Sequence, residues 1–208
     1  MDGLAVDART GLTYRVGSYD LHTISEMRRH YGKLNITPGS VVLDAGACFG
    51  SFTMIALNAG AKVVAYEPDP DSFSLLKLNC PMADCRNAAL VTDGSMFVDL
   101  YWTGSKNYAS HSITVKRGRK VRAVVPAADF QTVLDEVKPN VLKVDVEGAE
   151  YMLLVEPLPE YVKQLAVELH NGRNRPALVA SLAAQFATVV VVPRVWTKAW
   201  GMIGVYSR

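Results

Sequence analysis

The chain has 208 residues, half of them hydrophobic and a fifth charged, with a formal net charge of +2. This composition excludes a disordered polypeptide, and so small a charge does not require a nucleic acid or an anionic surface as partner. No apolar run reaches the ~18 residues that span a bilayer, and the first eight residues carry two acids with no basic region before an apolar core, so a cytoplasmic protein without a membrane anchor is expected.

Taken in order, the elements alternate between strand and helix, the pattern of an α/β sheet. Residues 11–16 read as a short edge strand. Asp20 is placed to cap a helix whose apolar face is Leu21, Ile24, Met27 and Tyr31, closed by Gly32. After a Pro38-Gly39 turn, residues 41–43 form the first buried strand, and a helix runs from about Gly50 to Asn58. Residues 62–66 are the second strand, and Asp69-Pro70 caps a helix through about Asn79, with proline at its first position. Residues 85–90 read as a third strand.

The segment 95–125 breaks the alternation. Residues 96–102, 112–115 and 121–125 are apolar or alternating and predict an antiparallel insertion. Phe130, Val133, Leu134 and Val137 mark a helix face ended by Pro139. A buried strand at 141–146, a short helix at 148–155 and a strand at 165–169 follow. A helix after Pro176 turns Leu178, Leu182 and Phe186 inward, and strands at 188–192 and 202–206 end the chain. There is no repeat or linker, so the expectation is one domain over 1–208, with 1–35 as an N-terminal strand and helix. Cys48, Cys80 and Cys85 give no disulfide framework, and no second pair completes a metal site with Cys80 and Cys85.

Three motifs carry the chemistry. In residues 41–53 an apolar run ends in Asp44, and a turn with Gly46 and Gly50 opens a helix. Ligands of open α/β sheets bind at such strand ends. A pyrophosphate cradle has a third glycine, but Cys48 and Ser51 stand where it would be, which disfavours a dinucleotide. Glu67 ends the next strand, where a carboxylate accepts from both hydroxyls of a ribose. The third motif, residues 142–150 (Leu-Lys-Val-Asp-Val-Glu-Gly-Ala-Glu), puts Lys143 and Asp145 in a strand whose end reaches the same cleft, with Glu147 and Glu150 at a helix start. Glu168 and His170 end the following strand.

These stretches, with Ala-Tyr-Glu-Pro-Asp-Pro (65–70), Asn-Ala-Ala-Leu (87–90) and Val-Glu-Leu-His (167–170), resemble the FkbM family of S-adenosylmethionine-dependent methyltransferases across residues 12–172. The resemblance implies a Rossmann-like class I fold: a mostly parallel seven-stranded sheet with an antiparallel C-terminal hairpin and helices on both faces. It implies that Asp44, Gly46, Ala47 and Ser51 line the methionine end of S-adenosyl-L-methionine, with Gly50, Phe52 and Thr53 completing the turn. Glu67 with Pro68 would hold the ribose, and Asn87 with Ala88 would border the adenine. Asp145 and Glu147 would face the sulfonium and the acceptor, with Asp145, Glu147 and His170, in that order, as candidate bases. The family commonly has Asn where Cys48 stands. Its members are generally O-methyltransferases of sugars or natural products, which makes a small molecule or glycan the expected partner.

No resident metal is expected; Asp145, Glu147 and Glu168 are the oxygen donors a divalent cation would use. A nucleic-acid methyltransferase is the main rival, resting on Lys116, Arg117, Arg119, Lys120 and Arg122 with Tyr101, Trp102 and Tyr108 upstream. Against it, residues 145–148 read Asp-Val-Glu-Gly rather than the Asn/Asp-Pro-Pro-aromatic string of amino-methylating enzymes. Two further rivals are a non-catalytic cofactor-binding module and a nicotinamide dehydrogenase.

Overall fold

The computed structural model describes residues 3–102, 107–114, 118, 120–170, 174–193 and 202–208. Its centre is a seven-stranded sheet. The strands are β3 (Val41–Ala45), β4 (Lys62–Tyr66), β5 (Asp84–Arg86), β9 (Val141–Val144), β10 (Gln164–Leu169), β11 (Thr188–Pro193) and β12 (Met202–Ser207), in the order β11-β12-β10-β9-β3-β4-β5. β12 runs antiparallel to both its neighbours, and the other pairings are parallel. This is the expected mostly parallel sheet with an antiparallel C-terminal pair. Its central strands are covered on both faces, which is why they are apolar runs rather than alternating patterns. All four residues of β9 are buried, and Val42, Leu43 and Ala45 of β3 are buried too.

Helices α1 (Asp20–Tyr31), α2 (Ser51–Asn58) and α3 (Pro70–Asn79) cover one face, where Met27, Tyr31, Phe52 and Leu76 join Val42 and Val63. Helices α4 (Phe130–Val137), α5 (Glu150–Leu153) and α6 (Arg175–Gln185) cover the other, with Phe130, Leu134, Leu153 and Leu182 packed on Leu43 and Leu142. Asp69 caps α3 as predicted, accepting from the Ser72 amide at 2.9 Å ahead of Pro70. No helix among the described residues is long and apolar enough to cross a membrane.

Several elements differ from the sequence reading. The N-terminal strand β2 (Thr13–Arg15) does not edge the main sheet; it pairs with β1 (Leu4–Val6) in a separate two-stranded sheet. Asp20 lies inside α1 instead of capping it, because its carboxylate is drawn to Arg15, accepting from Nε at 2.7 Å and from the Arg15 amide at 3.0 Å. Leu21 is about half exposed, so the packing face of α1 is Ile24, Met27 and Tyr31. The strand expected at 85–90 is two strands in different sheets, broken at Asn87, whose side-chain amide donates to the carbonyls of Glu67 and Pro68.

The second of these strands, β6 (Ala89–Val91), runs parallel to β8 (Lys120–Asp129), and β8 pairs antiparallel with β7 (Phe97–Trp102). The insertion is therefore a three-stranded sheet whose last strand continues four residues beyond the expected end. Of the strand expected at 112–115, the described residues show one bridge, Tyr101 to Ser112, and Val115 lies outside them. The strand at 141–146 ends at Val144, and the helix at 148–155 is confined to Glu150–Leu153.

Candidate functional site

The carboxyl ends of β3, β4 and β9 open into one pocket, closed on the outside by α1 and by residues 108–113 of the insertion. Of the residues singled out in the sequence, Gly46, Ala47, Ser51, Phe52, Glu67, Pro68, Ala88, Asp145 and Glu147 line it. Asp44, Gly50, Thr53, Asn87 and His170 do not.

Asp44 is fully buried beneath the turn. Its carboxylate accepts from the Thr53 hydroxyl at 2.6 Å and lies 3.1 Å from Lys143 Nζ. The two charges pair beside the turn, and Asp44 and Thr53 brace it from beneath. Lys143 Nζ also donates to the Gly46 carbonyl at 2.5 Å and stands 4.0 Å from Asp145 Oδ2. Burial pulls its pKa down, but Asp44 and Asp145 more than offset this and keep it charged. Gly50, at φ +95°, faces protein: a Cβ there would meet Cys80 Sγ at 2.8 Å. Asn87 is the staple that separates β5 from β6.

The turn amides are also committed. Gly46 and Ala47 N–H donate to the Tyr66 carbonyl at 3.0 and 2.9 Å, and Cys48 N–H donates to Glu67 Oε2 at 2.7 Å. Cys48 takes the left-handed conformation, φ +51°, which Asn tolerates better than Cys. Burial, reinforced by Glu67, pushes its thiol up, so it stays protonated. Glu67 is 7% exposed, with Oε1 accepting from the Asp69 amide at 2.8 Å. Burial pushes its carboxyl up to about 7. A buried carboxylate with two backbone donors and, among the described residues, no cation in hydrogen-bonding contact, at the wall of a pocket, suits a ligand that brings hydroxyl donors.

At the other end, Asp145 Oδ2 accepts from the Tyr31 hydroxyl at 3.1 Å. Glu147 adopts φ +51°, and its carbonyl accepts from Ser112 Oγ at 2.6 Å, which ties the insertion to this turn. His170 sits behind them. Its Nε2 is 3.3 Å from Glu147 and 3.4 Å from Glu168, and its Nδ1 is 3.2 Å from Glu150. Burial opposes its charge, yet Glu147, Glu150 and Glu168 lift its pKa well above the usual 6.5. Asp145, Glu168 and His170 bring potential ligand atoms within 4.8 Å of one another. A metal entering this cluster would compete with the proton that the surrounding acids favour on His170.

The sequence reading did not single out Thr23, Met27, Leu100, His111 or Ile113 as pocket residues. The last three come from the insertion, where alternation predicts strands for Leu100 and Ile113 but nothing local predicts a pocket wall. Arg122, one of the five basic residues of the expected hairpin, is bonded to Asp69 and Asp71 and lies over the Trp102 ring. Lys116, Arg117 and Arg119 lie outside the described residues.

The family model for the methyltransferase FkbM domain matches residues 44–187, more than two thirds of the chain. No curated protein matches it in sequence. Among solved structures, the C-terminal domain of precorrin-6Y C5,15-methyltransferase from Rhodobacter capsulatus is similar at 12% identity and a TM-score of 0.51, over 88% of this chain and 87% of that one. The precorrin-6Y C5,15-methyltransferase of Geobacter metallireducens gives 12% and 0.51, over 100% and 94%. TYW2 of P. horikoshii, in complex with MeSAdo, gives 14% and 0.51, over 99% and 72%. At these identities the likeness concerns the fold, and the family match supplies the activity: the chain belongs to the FkbM family of S-adenosylmethionine-dependent methyltransferases.

Proposed function

We propose that the chain methylates a hydroxyl oxygen on a sugar, glycan or related natural product. The observation that carries this is the pairing, in one pocket, of the buried Glu67 carboxylate with Asp145 and Glu147 at the opposite end. In this reading Glu67, beside Pro68, accepts from the ribose hydroxyls. Ala88 borders the adenine, and Gly46, Ala47, Ser51 and Phe52 line the methionine end. Asp145 and Glu147 face the sulfonium and the acceptor, where negative charge favours a cationic donor and accepts hydroxyl hydrogen bonds. The cofactor supplies an electrophilic methyl group, and alignment of acceptor oxygen and methyl supplies much of the rate. Asp44, Gly50, Thr53 and Asn87 act as supports, and His170 orients the two acids. A reducing, cytosolic setting belongs to the same reading, supported by three free thiols.

A nucleic-acid acceptor is disfavoured because Arg122 is spent on Asp69 and Asp71, and because Cys48 is held as a neutral thiol rather than as a thiolate that would attack a base. Calorimetric titration with S-adenosylmethionine and S-adenosylhomocysteine tests the donor half of the proposal. Binding is expected, with at least ~10-fold weaker affinity in Glu67→Ala, the loss of a charged hydrogen-bond partner. Unchanged binding removes Glu67 from the site. Transfer of labelled methyl to a panel of hexoses, deoxyhexoses and hexuronates, set against tRNA, tests the acceptor half; label entering only tRNA would overturn it.

A further inference from the structure

The insertion brings into the pocket a histidine that the proposed function leaves without a task. His111 follows the single helical turn Tyr108–Ser110. Its side chain is 4% exposed, and the ring lines the same pocket as Glu67, Asp145 and Glu147. Nδ1 lies 3.3 Å from Oδ1 of Asp69, a charge contact short of a well-aligned hydrogen bond, and Nε2, also buried, has no polar partner among the described residues. A buried imidazole nitrogen without a partner is costly unless a ligand completes it.

The described neighbours fix the ring, and none of them is bonded to Nε2. The edges of Trp102 and Tyr108 stand against it, at centroid distances of 6.2 and 5.9 Å. Tyr108 is itself held under the Arg15 guanidinium, 3.8 Å from its centroid. Asp69 is fully buried and bonded to the Ser72 amide and to Arg122, which, with His111, hold its carboxyl well below the usual carboxylate range. An anion so fixed, and nearer to Nδ1 than any other acceptor among the described residues, favours the proton on Nδ1, which leaves the lone pair on Nε2. The next residue, Ser112, is bonded to the Glu147 carbonyl, so His111 bridges the Asp69 end of the pocket and the Glu147 end.

We infer that His111 is the base that takes the acceptor's hydroxyl proton, with Asp69 as the positioning residue that sets its tautomer. This rests on a hydroxyl being the methyl acceptor. In the step, the acceptor oxygen bonds to the methyl carbon and the carbon–sulfur bond breaks, its electron pair staying on sulfur. The hydroxyl proton passes to Nε2, and the resulting imidazolium is paired with Asp69. His170 is placed less well for this part: it does not line the pocket, and both its ring nitrogens face Glu147, Glu150 and Glu168.

The first test needs no acceptor. Long-range proton–nitrogen spectra of the full chain with S-adenosylhomocysteine bound, assigned among its four histidines through His111→Gln, are expected to show His111 protonated on Nδ1 alone at pH 8. Asp69→Asn is expected to move the proton toward Nε2. A parent protonated on Nε2 overturns the proposal. The second test is affinity: His111→Gln is expected to bind S-adenosylhomocysteine within about twofold of the parent, and a tenfold loss makes His111 a cofactor ligand instead. Third, with the sugar that the parent methylates, His111→Gln is expected to lose at least ~100-fold in transfer rate; an unchanged rate overturns the proposal. Loss of cofactor binding or of all sugar methylation in the parent would fail the functional reading, whereas a wrong tautomer with both intact fails only His111.

Discussion

A Cβ on Gly46 would sit 1.9 Å from the carbonyl oxygen of Asp145. Two motifs a hundred residues apart in sequence are thus in backbone contact, and the glycine serves the protein's own chain before any ligand. Its φ of +79° adds a second reason for glycine. Gly46→Ala must push β9's end away from the turn, at a cost of roughly 2–4 kcal/mol. Melting should fall by roughly 5–15 °C, given about 2–4 °C per kcal/mol at this size. Binding of S-adenosylhomocysteine should be lost with it. A variant that melts and binds like the parent would show that the two motifs do not meet.

Lys143 is the cation that makes this junction tolerable, set between Asp44 and Asp145 and bonded to the Gly46 carbonyl. Lys143→Met leaves Asp44 charged and buried, and removing one partner of such a pair costs about 3–5 kcal/mol. Urea denaturation should show that loss. Adding Asp44→Asn should recover part of it, because Asn still accepts from Thr53 without needing a counter-charge. Strict additivity of the two losses would mean the pair is not coupled.

Much of this was readable in the sequence, for physical reasons that also mark where reading stops. β3, β4, β9 and β10 are sandwiched strands and therefore continuous apolar runs; Asp69-Pro70 is a local cap signal, and Glu67 a lone acid ending an apolar run. The break at Asn87 was not readable, because its amide is satisfied by carbonyls twenty residues earlier. The pairing of Asp44 with Lys143 was not readable either, since only the sheet sets Lys143 beside it on the adjacent strand. His111 and Tyr108 carry no pattern at all: Asp69, Arg15 and Ser112's bond to Glu147 position them, and every one of those contacts except the neighbouring serine is distant in sequence. The family's preference for Asn at Cys48 acquires a cause in the left-handed turn.

In the proposed function, where Glu67 accepts from the ribose hydroxyls, cofactor affinity depends on pH. The folded pKa of Glu67, about 7, exceeds the ordinary 4.5. The neutral form is therefore the one burial favours, and the group's contribution to stability is present below about 4.5 and lost as pH rises through about 7. Ribose hydroxyls favour the carboxylate, so affinity for S-adenosylhomocysteine should rise several-fold from pH 6 to pH 8. Glu67→Gln should bind more weakly throughout and lose this slope, and its stability without ligand should fall less than the parent's between pH 5 and 8. The same slope in parent and variant would assign the titration to another group.

His170 adds a second pH dependence, in stability. Glu147, Glu150 and Glu168 hold its folded pKa well above the ~6.5 of an unfolded histidine. The stabilisation is therefore complete below ~6.5 and disappears as pH rises through the folded value. His170→Gln removes the one charge that faces all three acids, at a cost of the order of 2 kcal/mol at pH 6, the scale of a charged hydrogen bond. Denaturation of parent and variant at pH 6 and at pH 10 should show a gap that narrows toward the alkaline end. If His170 were instead a neutral base poised to accept a proton, its variant would destabilise equally at both values, and the three glutamates would repel one another in the parent as much as in the variant.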